Sequence, residues 1–486
     1  MTDTEGVRQR LVTLLGREAV VTEETERAFF ARDALGPQRA FHGPDAVPVP
    51  PLAVVRPEST EQVAAVVRLA NRERLPVVPY GGGSGLMGGA RSLSPGIVID
   101  MRRLDRVLEI DAVAGWAWVQ AGAVLKDVDR ALNAHGLILG HDPWTVPVAT
   151  IGGTISTNGL GYRGSKYGSM GDQVLAVEAV MPDGTVVRTR PPWPHSTGLN
   201  LKFLFVDGEG EFGIVTAAAI RAFPMPELRV LRGYRFDTFE AGFNATLRMY
   251  GIGLVPALMD YGERSAPPPG AAARSTVRWQ DEPPSLYLWF EGFREEVEAQ
   301  ARRAAAICEE SGAAPIEQEE VEEFWQTRHV PAERFARTRA SRRAMPEQSG
   351  DEPARFDYVH VALPASRVLE YRERALALAR EHGVHVLENG TWVWPGLFSM
   401  VMANAEATAE EAARNMARTV DGCLRLAHAL GGSMEYCHGV GVRLAHLMEE
   451  EHGAGLTVMR LIKRALDPNG VMNPGKMALT DHAVQG

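Results

Sequence analysis

Residues 150–171 read TIGGTISTNGLGYRGSKYGSMG. Seven glycines alternate with Ser156, Thr157, Asn158, Tyr162, Arg163 and Lys166, which adds hydroxyls, an amide and two cations to a dense set of backbone donors. A turn needs only one or two such residues. Glycine has no Cβ to hold a ligand away, so this density suits close approach of the backbone to a planar, phosphorylated molecule. A surface loop without a ligand is the alternative reading of this stretch alone.

About seventy residues earlier, a second run, Gly81-Gly82-Gly83-Ser84-Gly85-Leu86-Met87-Gly88, follows a predicted strand over 76–80. Its 83–88 portion matches G-x-G-x-x-G, but a nicotinamide-type turn must open a helix that holds the pyrophosphate. Here Ser94, Pro95 and Gly96 lead back into a strand. A nucleophile elbow also fails, because Leu86 stands where G-x-S-x-G requires glycine. What fits is a nest of inward-turned N–H groups from Gly81 to Gly85, an anion-binding concavity. A glycine-rich hairpin loop with no ligand stays open. Together the two loops predict a grip on both ends of one dinucleotide diphosphate.

The rest of the chain is compatible with a large enzyme. Its 486 residues, 45% hydrophobic, suggest two or three domains. Fifty-one Lys and Arg against 61 Asp and Glu give a formal charge of −10, which argues against nucleic acid and anionic lipid as partners. No run approaches the roughly 18 apolar residues of a membrane span, and MTDTEGVRQR lacks the apolar centre of a signal peptide. Cys308, Cys423 and Cys437 are too scattered for a disulfide framework. These features predict a cytoplasmic protein acting on a small-molecule substrate.

Local patterns give the frame. Val63, Val66, Val67 and Ala70 share a helical face behind the N-cap signal Ser59-Thr60. Strands are expected over 96–101, 107–111 and 116–121, a helix over 125–134, and a hairpin of 174–181 with 186–188 around Asp183-Gly184. FPMPE at 223–227 marks a boundary, dividing the chain into 1–226, 227–430 and 431–486, with helical runs near 292–311, 408–430 and 455–466.

Six ordered motifs, PVVPYGGGSG (76–85), VPVATIGGTISTNGLGYRGSKYG (146–168), GDQVLAVEAVMPDG (171–184), GEFGIVT (210–216), EYCHGVG (435–441) and DPNGVMNPGK (467–476), carry a resemblance. The chain resembles the flavoproteins grouped with p-cresol methylhydroxylase and vanillyl-alcohol oxidase. The motif order is most similar to the branch of D-lactate and glycolate dehydrogenases and alkylglycerone-phosphate synthase. The resemblance implies an α+β fold: a two-subdomain FAD-binding domain (1–226), an α+β substrate or cap domain (227–430), and a C-terminal segment (431–486) returning to the flavin site. It implies FAD over Gly82, Gly83, Ser84 and Gly85, with Gly152, Gly153, Thr157, Asn158 and Gly161 along its middle. It also implies Ile214, Val215 and Thr216 beside the adenine half, and Asn473 and Lys476 reaching back. Some relatives tether flavin through a histidine where this chain has Ser84, so non-covalent FAD is expected.

A flavin enzyme oxidising an alcohol needs a base, and the candidate is His438, glycine-flanked after GGSMEYC (431–437), which reads as a short strand. A histidine capping a following helix is the plain alternative. The dehydrogenase branch often has Glu-His here, with that Glu and a histidine pair holding a metal. This chain has Cys437 at the Glu position and no histidine in NGTWVWPGLFSMVMA (389–403), so no metal is expected. Arg328, in a Trp-x-x-Arg segment similar to the family's, becomes the expected anchor for a substrate anion, against simple helix packing. Tyr358 and His360 share one strand face in DYVHVALP (357–364) and are secondary site candidates. Trp392 and Trp394 form either an aromatic wall or core. The expected activity is hydride transfer from an alcohol or 2-hydroxy acid to FAD, and the alternative is a flavin-dependent transferase without net redox. The electron acceptor (oxygen, quinone or protein) and a homodimeric state stay open.

Overall fold

The computed structural model describes residues 3–36, 39–40, 47–192, 194–267, 280–340, 354–405 and 408–480. Parts of the proline-rich lead-in at 42–51 and of the Pro/Ala-rich loop at 266–272 lie outside them. Three sheets organise the chain.

In the first sheet, Ala53–Val55, Ile97–Asp100 and Val77–Tyr80 are parallel neighbours, with Val20–Val21 antiparallel at one edge. The helix Thr60–Glu73 crosses between two of these strands, starting where the Ser59 side chain accepts from Gln62 N–H and burying Val63, Val66, Val67 and Ala70 as the sequence predicts. Val77–Tyr80 and Ile97–Asp100 are adjacent and parallel, so the 81–96 glycine stretch must travel back along the sheet to connect them. The C-terminal stretch returns to this sheet: Val77 N–H donates to the Val471 carbonyl (2.7 Å), and Asn473 N–H donates to that of Val77 (2.8 Å).

The second sheet runs Val107–Asp111, Trp116–Gln120, Ile214–Pro224, Val174–Val180, Val186–Arg188, with Leu137–Leu139 on the far end of Ile214–Pro224. The expected hairpin closes at Asp183-Gly184, where Gly184 has φ +81° and the Asp183 carboxylate accepts from Thr185 N–H. Valines and alanines of these strands join those of the first sheet in one core, which also takes Val471 and Met472.

The third sheet has seven antiparallel strands in the order Ala314–Pro315, Leu228–Arg235, Glu282–Gly292, Leu258–Arg264, His385–Trp392, Leu397–Ala405, Ala354–Ala362. Apolar residues from helices Phe239–Gly251, Arg294–Glu310, Val368–Glu381 and Ala409–Ala429 pack with strand residues into a second core.

Two local expectations are corrected. The 150–171 stretch is three short helices, Ile151–Ser156, Gly164–Tyr167 and Met170–Gln173, the first capped by the Thr150 hydroxyl accepting from Gly153 N–H. Residues 431–437 do not form a strand; only Ser433 bridges to Ala362. The reason lies in Glu435, whose Oε1 accepts from the N–H groups of Tyr436 (2.9 Å), Cys437 (3.0 Å) and His438 (3.3 Å). Donors collected by one carboxylate are not available to a ladder.

Candidate active site

The glycine loops face one side of the third sheet across a cavity of about 560 Å³. Gly82, Gly83, Ser84, Gly85, Gly152, Gly153, Thr157, Ile214 and Val215 line it, as do Tyr358, His360 and His438. A Cβ on Gly82 would lie 2.2 Å from the Val148 carbonyl oxygen, so the loop can lie against its neighbour only as glycine. A Cβ on Gly85 would meet nothing nearer than the Asp33 carboxylate at 3.8 Å, so this end of the loop is not closed to a side chain by its neighbours. Gly83 has φ +65°, the left-handed region that inward-turned N–H groups require. The cradle is therefore shaped for a ligand's backbone-hugging diphosphate.

Several predicted contacts lie behind this wall. The Asn158 Oδ1 accepts from Gly171 N–H, and Thr216 Oγ1 donates to the Glu178 carboxylate. A Cβ on Gly161 would fall 2.6 Å from the Asp142 backbone nitrogen. Asn473 Nδ2 donates to the carbonyls of Gly89 (2.8 Å) and Glu209 (2.6 Å). Lys476 is buried, pulled down to about 8 by that burial against the attraction of Glu211, Glu209 and Asp33. None of these five is part of the cavity wall; they brace the cradle from behind.

Arg328 also departs from expectation. Its Nε and Nη2 donate to Asp142 Oδ2 at 3.3 and 3.2 Å, its Nη1 donates to the Trp325 carbonyl, and its guanidinium stacks over the Trp325 ring. Asp142 is shared with His329 Nε2 (3.0 Å) and Arg163 (3.8 Å), and despite burial these partners hold its carboxyl well below the usual range. Arg328 lines a smaller crevice beside Asp142 and His329 and not the main cavity. It bridges the 140–145 segment and the end of helix Gln318–Thr327, outside the cavity where the expected substrate anchor would stand. A Trp-x-x-Arg motif alone could not show that its partner carboxylate waits 186 residues away.

At the other end of the cavity, the Glu435 carboxylate receives His438 Nδ1 at 3.3 Å. Burial pushes Glu435 up, but His438, His360 and the Cys437 N–H outweigh it and hold the group at about 2. Such a partner favours Nδ1–H on the carboxylate and leaves the lone pair on Nε2, with the Cys437 Sγ beside the ring at 3.2 Å from Nδ1 and 3.7 Å from Nε2. The next turn is clasped by Glu209, whose Oε1 accepts from Val440 N–H (2.5 Å) and Gly441 N–H (2.9 Å). The His360 ring lies 4.6 Å from that of His438, and Tyr358 lies 5.4 Å from it. Burial and the neighbouring His438 push His360 down to about 3, so it is neutral. The Tyr358 hydroxyl has no hydrogen-bond partner among the described residues, and the residue is 6% exposed. Arg39 stacks over its ring at 3.9 Å while donating to Asp357. Trp392 lines the cavity against Tyr162, whereas Trp394 sits beside Tyr250 away from it.

The fold also brings together a group that spacing did not reveal. His360, Cys437 and His438 each place a possible ligand atom within 4.8 Å of the others. The expectation of no metal rested on Cys437 at the family's Glu position and on the absence of histidine in 389–403; His360 is a neighbour of Cys437 and His438 that only the assembled sheet brings there. Glu209, Glu435 and Asp260 were likewise missed: Glu209 and Asp260 stand outside the quoted motifs, and Glu435 opens EYCHGVG without any sign of its contact to His438.

A glycine-built diphosphate cradle facing a buried histidine–carboxylate pair defines a dinucleotide-dependent oxidoreductase. Comparison with known proteins narrows the class. Residues 51–190 match the FAD binding domain, and residues 225–477 match the FAD linked oxidases, C-terminal domain. The D-lactate dehydrogenase of Archaeoglobus fulgidus is 30% identical, covering 87% of this chain and 90% of that protein. Alkyldihydroxyacetonephosphate synthase superposes with a TM-score of 0.74 at 19% identity, over 96% of this chain and 84% of that one. Substrate-bound p-cresol methylhydroxylase superposes with a TM-score of 0.74 at 17% identity, over 97% and 96%. The chain belongs to the FAD-linked oxidases and is a flavoprotein oxidoreductase of the p-cresol methylhydroxylase fold. FAD is its cofactor, and the cradle of Gly82 to Gly85 with Gly152 and Gly153 fits that molecule.

Proposed function

We propose that this enzyme oxidises the CH–OH carbon of an alcohol or 2-hydroxy acid, with His438 removing the hydroxyl proton. The observation that carries the reading is the Glu435–His438 pair on the cavity wall, with the imidazole fixed by the carboxylate. FAD, when bound along the glycine loops, supplies the hydride acceptor. His438 Nε2 takes the proton as the carbinol carbon loses its hydride. Glu435 steadies the charge that arrives on the ring. The Tyr358 hydroxyl, without a partner among the described residues, orients the substrate oxygen, and neutral His360 packs against the base. This scheme uses no metal.

The test is the visible spectrum of the purified protein under anaerobic titration with alcohols and 2-hydroxy acids, followed by acid precipitation. Bleaching by one compound supports the reading. Flavin in the supernatant supports non-covalent FAD, consistent with Ser84 at the usual tethering place; flavin in the pellet would point to a tether elsewhere, with Cys437 the first suspect. A second reading, transfer without net redox, draws on the likeness to alkyldihydroxyacetonephosphate synthase. Consumption of an acylated ketone phosphate by a protein that no alcohol bleaches would favour it.

We further propose that residues 1–226, 227–430 and 431–486 work as cofactor, substrate and site-completing parts, and that the enzyme is cytoplasmic. Unpaired Cys308, Cys423 and Cys437 support that compartment, and no described helix is long and apolar enough to cross a membrane.

A further inference from the structure

The cavity's far wall is one face of the seven-stranded sheet, and its register makes a lane. Ser285 pairs with Gly262, Gly262 with Gly390, Gly390 with Ser399, and Ser399 with His360. Five strands thus contribute one row of small residues that ends on the histidine beside His438. On one side of the lane stand Tyr287, Asp260 and Trp392; on the other stand Glu282, Arg264 and Glu388. All of these side chains line the cavity.

The charges of this wall are unequal. Arg264 is spent twice, on Glu388 at 2.8 Å and on Glu282 at 3.3 Å. Asp260 has neither a hydrogen-bond nor an ion-pair partner among the described residues. The other cavity-lining cation, Arg39, is held by Asp357. His141 and His360 are pushed down to about 4 and about 3, mainly by burial, and carry no charge near neutral pH. A carboxylate entering this lane would meet three acids and no free cation.

We propose that the substrate is an extended alcohol bearing a protonated amine, lying along the lane with its hydroxyl end at His438 and its ammonium on Asp260. The inference rests on the oxidation reading above for the hydroxyl end only. Strands are spaced by about 4.8 Å, so three strand steps from His360 to the Asp260 strand span about 14 Å. The charge therefore sits some eight to ten bonds from the reacting carbon. Asp260 is pushed up to about 7 by burial and by Glu388, with Arg264 pulling the other way. Tyr287 and Glu282 from one neighbouring strand, Glu388 from the other, and Tyr162 and Tyr436 from beyond the sheet complete its surroundings. An acid so placed has only Arg264, already paired with Glu388 and Glu282, as a nearby cation, and an ammonium supplies the counter-charge it lacks in contact. The partnerless Tyr358 hydroxyl at the opposite end is an independent sign that the cavity takes a polar ligand there.

The experiment is isothermal titration of the FAD-loaded enzyme at pH 8 with octylammonium, octanoate and 1-octanol. Octylammonium should bind at least tenfold more tightly than either of the others, and Asp260→Asn should raise its Kd about tenfold without loss of FAD. Equal or tighter binding of octanoate or 1-octanol overturns the proposal, as does an unchanged Kd in a folded Asp260→Asn enzyme or absence of heat from octylammonium. Should Asp260→Asn fail to fold, the wild-type order of the three probes decides. Anaerobic 8-amino-1-octanol separates the two readings. Tight binding without bleaching sinks the oxidation, whereas bleaching by neutral or anionic alcohols without ammonium preference sinks the cation site.

Discussion

Glu435 and His438 are joined twice: the carboxylate receives the ring Nδ1 and, through the same oxygen, the backbone N–H of His438, both at 3.3 Å. One acid thus sets the ring orientation and the turn that carries it. Replacing His438 with Ala is expected to lower kcat by about 10²–10⁴-fold while the FAD spectrum is retained. Glu435→Gln should lower kcat by about tenfold with little change in KM, since the amide keeps a carbonyl acceptor but loses the charge. Stopped-flow flavin reduction measures both; an unchanged rate in His438→Ala removes that residue from the base role.

Arg328→Ala is expected to act on stability. Asp142 would keep His329 and Arg163 but lose its bidentate contact, a cost of about 3 kcal/mol for a buried pair. Thermal melts should show the loss, while KM should stay within twofold of wild type. A large rise in KM at unchanged Tm would return Arg328 to substrate binding.

The two ends of the first glycine loop should fail differently. Gly82→Ala drives a Cβ into the Val148 carbonyl and is expected to lower Tm in cofactor-free and loaded protein alike. Gly85→Val should melt like wild type without cofactor yet hold far less FAD, because the protein leaves room for the side chain while the residue lines the cradle. The ratio of flavin absorbance to protein absorbance separates the cases.

Glu209 gives a pH signature. Burial, aided by Asp207 and Glu211, pushes it up to about 7 against the pull of the Val440 and Gly441 donors. The folded protein therefore keeps a proton that the unfolded chain releases near 4.5. Stability contributed by this group is present at low pH and is lost as pH rises from about 4.5 to 7, by at most about 3 kcal/mol. Glu209→Gln keeps an acceptor for both N–H groups and should flatten part of the fall of Tm between pH 5 and 7.5. A slope identical to wild type would mean that Glu209 is ionised throughout.

The glycine cradle was legible because glycine chemistry is local: φ signs and close approaches at Gly82 to Gly85 are written in the residues themselves. His438 was legible for the same reason, standing before two glycines with positive φ, Gly439 and Gly441. The substrate wall was not. Asp260, Glu388 and Ser285 meet through the register of strands far apart in sequence, and register is a property of the assembled sheet. The Asp142 partner of Arg328 was not legible, because a motif names a residue type and leaves its partner unstated. GGSMEYC misled because alternation cannot foresee a carboxylate that gathers three neighbouring N–H groups.

The grip of Glu209 on the Val440–Gly441 turn joins segments 231 residues apart. Val471 and Asn473 also return to the strand that leads into the first glycine loop, so neither the cofactor cradle nor the turn bearing His438 is complete until residues from both regions have met.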